Sequence, residues 1–291
     1  MGHGGFVAHW QRFVSGCEAC AKVQSVTIGR EKNPGAELDT ELNTGLNRTR
    51  RRLPGLTVKD GFTLHPFDAE FGVRTSGLIA GRHLRSGHAH DRHATAYYGV
   101  APSVFHSLVT RWKKAGNETS MAKTTFVDLG AGMGRAVLLA SELGFAAAVG
   151  VELHPVLARI ARVNVRLWRA AGRERSPMRI VEGDAVEFRL PDGPVLAFLF
   201  NPFGAAVLRR LLKGWRNARA HRTEPLHLLY VNNEQESVLE NERGWSRLFL
   251  GKVRRSKADA IADHKIMANQ PEGEYASSNF EDCSMWRWCG D

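Results

Sequence analysis

From about residue 123 onward, short apolar runs alternate with longer segments in which apolar residues recur every three or four positions. Short apolar runs are typical of buried strands, and the longer spacing is typical of helices that bury one face. The predicted strands are 126–127, 146–151, 178–181, 194–200, 226–231, 245–253 and 283–289. Because strands alternate with helices, the pattern predicts an α/β fold with a mostly parallel sheet between two helix layers.

The chain before this alternation divides into two parts. Residues 1–60 show no hydrophobic period, which predicts a weakly ordered extension with at most a short helix near residues 7–14. Further on, the apolar residues that follow Pro102 are spaced for the buried face of one helix. We therefore predict three regions: the extension 1–60, a helical and loop cap on the substrate side at 61–122, and a core domain at 123–291.

Polar residues stand at the carboxyl ends of four successive predicted strands. Asp128, Glu152, Asp184 and Asn201 each end or closely follow an apolar run. Ligands of open parallel sheets bind at this edge, where the strand order reverses. We therefore expect the four side chains to converge on one ligand.

A glycine-rich turn follows the first of these strands. Gly130, Gly132 and Gly134 alternate along it, and glycine lets a backbone adopt positive φ and approach a ligand closely. The dinucleotide pattern Gly-x-Gly-x-x-Gly is not met, because Arg135 stands where the third glycine would be. Asp128, just before the turn, would repel a pyrophosphate and attract a cation or an amine.

S-adenosylmethionine meets these requirements, because it carries an amino group and a positively charged sulfur but no phosphate. The amino group and the sulfur can face Asp128, and the ribose hydroxyls can meet Glu152. The adenine amine can meet Asp184. The residues at the strand ends therefore favour this cofactor over a dinucleotide.

The same positions resemble the motifs of class I S-adenosylmethionine-dependent methyltransferases. Residues 128–134 resemble the first motif of the family and Glu152 its ribose-binding acid, while residues 183–185 resemble the adenine-binding turn and residues 201–204 the fourth motif. The resemblance extends from about residue 62 to the end of the chain. It implies a Rossmann-like sheet of seven strands in the order 3-2-1-4-5-7-6, with the last strand antiparallel. The cofactor contacts that it implies are Asp128, Gly130, Ala131, Gly132, Gly134, Glu152, Leu153, Asp184, Ala185 and Asn201.

Two features narrow the resemblance and indicate the catalytic residues. The Phe-Val-Asp-Leu-Gly opening, the later Gly-Val-Glu and the tyrosines before the core resemble Dot1-like lysine methyltransferases and related small proteins. The Asn-Pro-Phe run resembles the Asn-Pro-Pro-Tyr/Phe motif of enzymes that methylate planar amino nitrogens, except that Phe203 replaces the second proline. Placing the reacting atoms supplies much of the catalysis in such a transfer. We predict that Asn201, Phe203 and either Tyr98 or Tyr97 position the acceptor.

Four histidines fall within residues 83–93, and four cysteines lie in two pairs at the chain ends. Neither set is spaced as a zinc site, so we predict no metal and free thiols. One of the histidines is a candidate for the catalytic base, because imidazole titrates near neutrality. No apolar run is long enough for a membrane span or a signal peptide, so we expect a cytoplasmic protein.

The net charge of +10 favours an acidic partner such as nucleic acid, although a basic solvated surface would give the same total. The densest basic run, at residues 48–52, falls in a predicted linker. Four functions stay open at this point: N-methylation of an amine such as a protein lysine, which is favoured, methylation of RNA or DNA, a non-catalytic binding module, and a nicotinamide dehydrogenase. The sequence fixes neither the acceptor nor the oligomeric state.

Overall fold

A computed structural model describes residues 63–115, 120–269 and 275–290. The predicted extension 1–60, its helix, the basic run at 48–52 and the cysteines at 17 and 20 lie outside these residues. The strands are β1 (Leu78–Ile79), β2 (Tyr97–Tyr98), β3 (Thr125–Leu129), β4 (Ala147–Glu152), β5 (Met178–Glu182), β6 (Val195–Phe200), β7 (Leu226–Val231), β8 (Trp245–Arg254) and β9 (Phe280–Trp288). The helices are α1 (Pro66–Phe71), α2 (Pro102–Lys114), α3 (Arg135–Ser141), α4 (Pro155–Ala170), α5 (Ala205–Arg219), α6 (Glu236–Glu240) and α7 (Lys257–Ala268).

The main sheet has seven strands in the order β5-β4-β3-β6-β7-β9-β8. β9 runs antiparallel to both of its neighbours, and the remaining neighbouring pairs are parallel. Counted from β3 as the first strand, this is the order 3-2-1-4-5-7-6 with the last strand reversed. The predicted Rossmann-like fold of class I methyltransferases is therefore confirmed.

Alternate side chains of the central strands are buried in two separate cores. Phe126 and Phe198 belong to the core that β3 and β6 share with α2 and α3. Val127 and Ala197 belong to the core on the other face, which α5 covers. Because these strands are buried on both faces, nearly every residue in them is apolar. Among the described residues, no helix combines the length and the apolar composition needed to cross a membrane.

Residues 63–101, here called the cap, contain α1, β1 and β2, and Tyr97 of β2 packs on Gly132 just after β3. The division of the chain at residues 60 and 122 stays a prediction. β1 pairs with β2 in antiparallel fashion, and residues 80–96, the rim loop, connect them. The predicted helix after Pro102 is confirmed as α2, which buries the five apolar residues spaced for one face. The cap therefore contains a short two-stranded sheet, and the amphipathic helix α2 follows it in the chain and packs on the core.

Arg135, the first residue of α3, fastens the cap to the core. Its buried guanidinium donates to Thr75 Oγ1 at 2.7 Å, to the Thr75 carbonyl at 3.1 Å and to the Gly99 carbonyl at 3.1 Å. Asp68 lies 3.8 Å away and accepts hydrogen bonds from the backbone and hydroxyl groups of Thr75 and Ser76. The residue that breaks the dinucleotide pattern is therefore a structural anchor of this fold.

The segment between β8 and β9 contains a regular helix. It holds α7, a helix of twelve residues that buries Asp259 and Asp263. Aspartates occupy positions where an ordinary amphipathic helix would present apolar side chains. The apolar period that would have predicted the full helix is therefore missing.

Candidate functional site

A cavity opens at the carboxyl ends of the central strands, between the sheet and the cap. It encloses about 980 Å³ of space between atoms, part of which is open to solvent. The walls come from the glycine turn, the rim loop, β2 and the turn after β6, so residues from distant parts of the sequence meet here.

Most of the residues predicted for the site line this cavity, while three do not. Those that line it are Asp128, Gly130, Ala131, Gly132, Glu152, Leu153, Ala185, Tyr98 and Phe203. The three that lie outside its walls are Gly134, Asp184 and Asn201. Contact with a cofactor stays a prediction for all of them.

Gly134 and Asn201 have structural surroundings that keep them from the cavity. Gly134 has a φ of +89° before α3, and a Cβ on it would lie 3.2 Å from Ala161 Cβ. Asn201 also has a positive φ, of +39°, and its carbonyl accepts a hydrogen bond from Thr95 Oγ1. Its side-chain oxygen lies 3.4 Å from the Tyr230 hydroxyl, which donates to it. Asn201 therefore shapes the turn after β6, and its predicted role in positioning the acceptor stays a prediction.

Two carboxyl groups lie side by side on the cavity floor. Glu152 accepts hydrogen bonds from the backbone of Gly132 at 2.7 Å and of His154 at 2.8 Å. Burial raises the pKa of Glu152, and these backbone donors partly oppose the rise. Burial and the nearby Glu152 raise the pKa of Asp128 well above its ordinary range, and no described residue donates a hydrogen bond to the Asp128 carboxyl. The two carboxyl groups are therefore suited to bind a cation or a hydrogen-bond donor.

The glycine turn is closely packed between two residues of the opposite wall. Gly132 has a φ of +55°, and a Cβ on it would lie 2.1 Å from a ring carbon of Tyr97. Gly130 has a φ of +80°, and a Cβ on it would lie 2.3 Å from Pro202 Cβ. The Tyr97 hydroxyl donates to the Thr75 carbonyl at 2.7 Å, which fixes the ring against the turn. Tyr97 is therefore a wall residue that packs on the turn.

Asp184 is engaged by the rim loop. His90 Nδ1 lies 2.7 Å from Asp184 Oδ2, and His90 Nε2 lies 2.8 Å from Arg210 Nη1. A guanidinium can only donate, so Nε2 accepts from Arg210 and the ring proton resides on Nδ1, which faces the Asp184 carboxylate. His88 Nε2 lies 3.9 Å from the same carboxylate, and these three residues could also surround a metal ion. The contact with Arg210 already uses the lone pair of His90 Nε2, which disfavours this histidine as the catalytic base.

Tyr98 is held by a buried acid from α7. Its hydroxyl donates to Asp263 Oδ1, and Arg255 Nε lies 3.0 Å from Asp263 Oδ2. Burial, and then the Asp263 charge, raise the pKa of Tyr98, so the phenol stays protonated. Because the hydroxyl hydrogen is committed to Asp263, the Tyr98 oxygen has only lone pairs left for a ligand in the cavity.

No protein-family model matches the sequence, and no curated protein is similar to it. Several solved structures are similar to this chain at low identity. Magnesium protoporphyrin IX methyltransferase of Synechocystis, with S-adenosylmethionine bound, is similar over 90% of this chain and 100% of that chain, with 13% identity and a TM-score of 0.42. TrmN of Thermus thermophilus is similar over 65% and 49%, with 16% identity and a TM-score of 0.42. YcgJ of Bacillus subtilis is similar over 64% and 99%, with 14% identity and a TM-score of 0.39. The likeness concerns the fold, and the function is inferred from the cavity itself.

The cavity also contains residues that the sequence analysis missed. His154 lines it two positions after Glu152, is buried, and has an Nδ1 atom without a hydrogen-bond partner among the described residues. Burial lowers the pKa of His154, so the ring is neutral near pH 7 and Nδ1 can exchange a hydrogen bond with a ligand hydroxyl. Its short distance in sequence from the predicted ribose-binding acid was the one available indication.

Proposed function

We propose that this protein is an S-adenosylmethionine-dependent methyltransferase that transfers a methyl group to an amine nitrogen. The observation that carries the proposal is the pair of buried carboxyl groups, Asp128 and Glu152, at the ends of two neighbouring strands. Negative charge is costly to bury without a counter-charge, so the pair favours a ligand that brings a cation. A pyrophosphate would add negative charge at the same place, which argues against a nicotinamide dinucleotide.

The residues present fit this cofactor. Asp128 would hold the amino group, Glu152 the ribose hydroxyls together with His154, and Ala185 would lie along the adenine. When bound, the cofactor supplies a methyl group attached to a positively charged sulfur. Aromatic side chains, among them Phe198, Phe200 and Phe203, give the cavity an apolar wall.

The chain's own residues prepare the acceptor. An amine attacks through its lone pair, so a protonated acceptor has to lose a proton before transfer. The Tyr98 oxygen can accept a hydrogen bond from the remaining N–H and thereby orient the lone pair, while Phe203 supplies an apolar face beside it. Positioning of this kind supplies much of the catalysis in a direct transfer.

Two sources of the amine agree with such a cavity. The Dot1-like motifs support a protein lysine, whose slender side chain would enter between Tyr98 and Phe203. The aromatic walls also suit the planar amino group of a nucleic-acid base. The charge around the cavity mouth, described below, favours the second source.

Transfer of a labelled methyl group tests the proposal. The protein is incubated with cell lysate and tritiated S-adenosylmethionine, and the product is then digested with protease or nuclease. We expect macromolecular label that exceeds the label obtained with Asp128→Asn. Label that is equal for the two proteins, or absent from both, would contradict the proposed activity.

Loss of the Tyr98 hydroxyl should slow transfer without weakening cofactor binding. Tyr98→Phe removes the hydroxyl oxygen that would accept from the acceptor amine, and Asp263→Asn removes the carboxylate that orients this hydroxyl. We therefore expect kcat to fall about tenfold or more in each variant. The dissociation constant of S-adenosylhomocysteine should stay within about twofold of wild type, since neither group lies at the carboxyl floor. Tyr275→Phe, at an exposed tyrosine, is the matched control. A normal kcat in both cavity variants would remove Tyr98 from the mechanism.

Cofactor binding should release protons as it draws Asp128 into its charged form. The pKa of Asp128 is raised in the free protein, and a bound ammonium group favours the ionised carboxylate, so binding lowers that pKa. The affinity for S-adenosylhomocysteine should therefore increase as pH rises from the ordinary value of 3.8 through the raised pKa of Asp128 in the free protein. Calorimetry in buffers of different ionisation enthalpy measures the released protons. An affinity that falls over this range would mean that Asp128 does not meet the amino group.

A further inference from the structure

Basic side chains on α5 form a surface beside the cavity mouth. Arg209, Arg210 and Lys213 are exposed on adjacent turns, and none of the fifteen residues of the helix is acidic. Arg216, further along, pairs with Glu242 at 2.5 Å. No acidic partner of Arg209 or Lys213 occurs among the described residues, so their charges face solvent uncompensated.

The rim loop adds Arg82, Arg85 and Arg92, which are all exposed. Its one acid, Asp91, accepts hydrogen bonds from Ser86 N at 2.8 Å, Ser86 Oγ at 2.7 Å and Gly87 N at 2.7 Å. Burial alone would raise the pKa of Asp91, but these hydrogen bonds lower it overall. The carboxylate is therefore used inside the loop, and the outer surface of the loop stays basic.

The two basic segments are joined at the cavity. The backbone of Gly204, the residue before α5, donates to the His93 carbonyl at 3.0 Å. Phe203 pairs with Ala94 across the same junction. Val207, in the first turn of α5, lines the cavity. The rim loop and α5 therefore adjoin beside the cavity. Their exposed cations, here called the basic rim, are Arg82, Arg85, Arg92, Arg209, Arg210 and Lys213.

We infer that the basic rim binds the phosphate backbone of a single-stranded nucleic acid, one base of which enters the aromatic cavity. This inference rests on the proposed function and names its acceptor class. Evenly spaced phosphates match a row of cations, and unpaired bases stack on aromatic walls such as Phe200 and Phe203. An acidic protein could pair with the charges, but its lysine acceptor, unlike a base, brings no planar ring to these walls.

A membrane surface fits the rim less well. A peripheral membrane site combines cations with exposed apolar side chains that enter the lipid. None of the large exposed apolar residues in the described part of the chain lies on α5 or the rim loop. They are Leu64, Leu250, Ile261, Tyr275 and Phe280.

Fluorescence anisotropy with a labelled single-stranded RNA of mixed sequence tests the inference. The double variant Arg209→Ala/Lys213→Ala should bind about tenfold more weakly than wild type at physiological salt. The slope of log K against log salt should decrease by about 1.4, since each lost phosphate contact removes about 0.7. Lys113→Ala/Lys114→Ala removes the same charge at the end of α2, whose Trp112 packs on Phe145 and His227 at the opposite edge of the sheet. This control should bind as wild type does.

Two results would overturn the inference. One is an equal loss in both double variants, which would mean that only the net charge matters. The other is a protein that binds neither RNA nor single-stranded DNA. The same conclusion follows if anionic vesicles or an acidic peptide bind more strongly than RNA and depend on Arg209 and Lys213. S-adenosylhomocysteine affinity, measured on the same proteins, separates the two proposals. Neither double variant should change this affinity. If wild type does not bind S-adenosylhomocysteine, the proposed function is wrong whatever the RNA result.

Discussion

Asp128→Asn should lose binding of S-adenosylhomocysteine by at least about a hundredfold and should at the same time raise the thermal stability of the free protein. The loss follows because the amide cannot neutralise the ligand's ammonium group inside a buried site, where an unpaired charge is costly. The gain follows from the raised pKa of Asp128, which burial and the neighbouring Glu152 produce. One substitution therefore separates binding from stability.

The direction of the stability effect follows from proton linkage. The folded state holds the Asp128 proton more tightly than the unfolded state, so the free energy of unfolding falls as pH rises from the ordinary value of 3.8 through the raised folded pKa. Wild type carries this cost in full above that window, and asparagine removes it. The asparagine variant should therefore melt higher than wild type near neutral pH, and the gap should close in acid.

Calorimetric titration with S-adenosylhomocysteine measures the loss of binding. Thermal melts without ligand measure the gain in stability. Asp282→Asn, at an exposed position of β9, is the matched control and should change neither quantity. If Asp128→Asn binds S-adenosylhomocysteine within about threefold of wild type, Asp128 is not the partner of the amino group.

Gly132→Ala should both unfold the turn and block the cofactor. The φ of +55° strains any residue with a Cβ, and the added methyl would lie 2.1 Å from the ring of Tyr97. Strain and overpacking together should lower the free energy of unfolding by about 3 to 5 kcal/mol. The ring cannot move freely, because its hydroxyl is bonded to the Thr75 carbonyl.

Gly144→Ala isolates the contribution of the backbone alone. Gly144 has a φ of +78°, and a Cβ on it would meet nothing within 4 Å. Its replacement should cost only about 1 to 2 kcal/mol and should leave cofactor affinity unchanged. Urea denaturation of both variants measures the difference. Equal costs would mean that the contact between the turn and Tyr97 contributes nothing.

The fold and the cavity floor could be predicted because their causes are local. Apolar runs mark buried strands, and the carboxyl ends of neighbouring parallel strands meet at one edge, which brings Asp128 and Glu152 together. A glycine turn needs only the chain around it, so its position was also predictable. Each of these inferences uses residues within one strand–turn–helix unit.

The rest of the site depends on contacts that no local pattern reports. Tyr98 takes its orientation from Asp263, 165 positions away and on a helix without an apolar period. Arg135 appeared in the sequence only as a missing glycine, whereas its partners lie in the cap. The contact of Asp184 with His90 of the rim loop could not be foreseen from the sequence, because the two residues lie 94 positions apart. Long-range partners of buried polar groups are fixed by tertiary structure alone.

The central claim is that two buried carboxyl groups form a site for a cationic nucleoside without phosphate. Isothermal calorimetry on the wild-type protein, with S-adenosylhomocysteine and NADH titrated separately under the same conditions, tests it most directly. The account predicts micromolar binding of S-adenosylhomocysteine with one site per chain and no heat of binding from NADH. Binding of NADH, or no binding of S-adenosylhomocysteine, would contradict it.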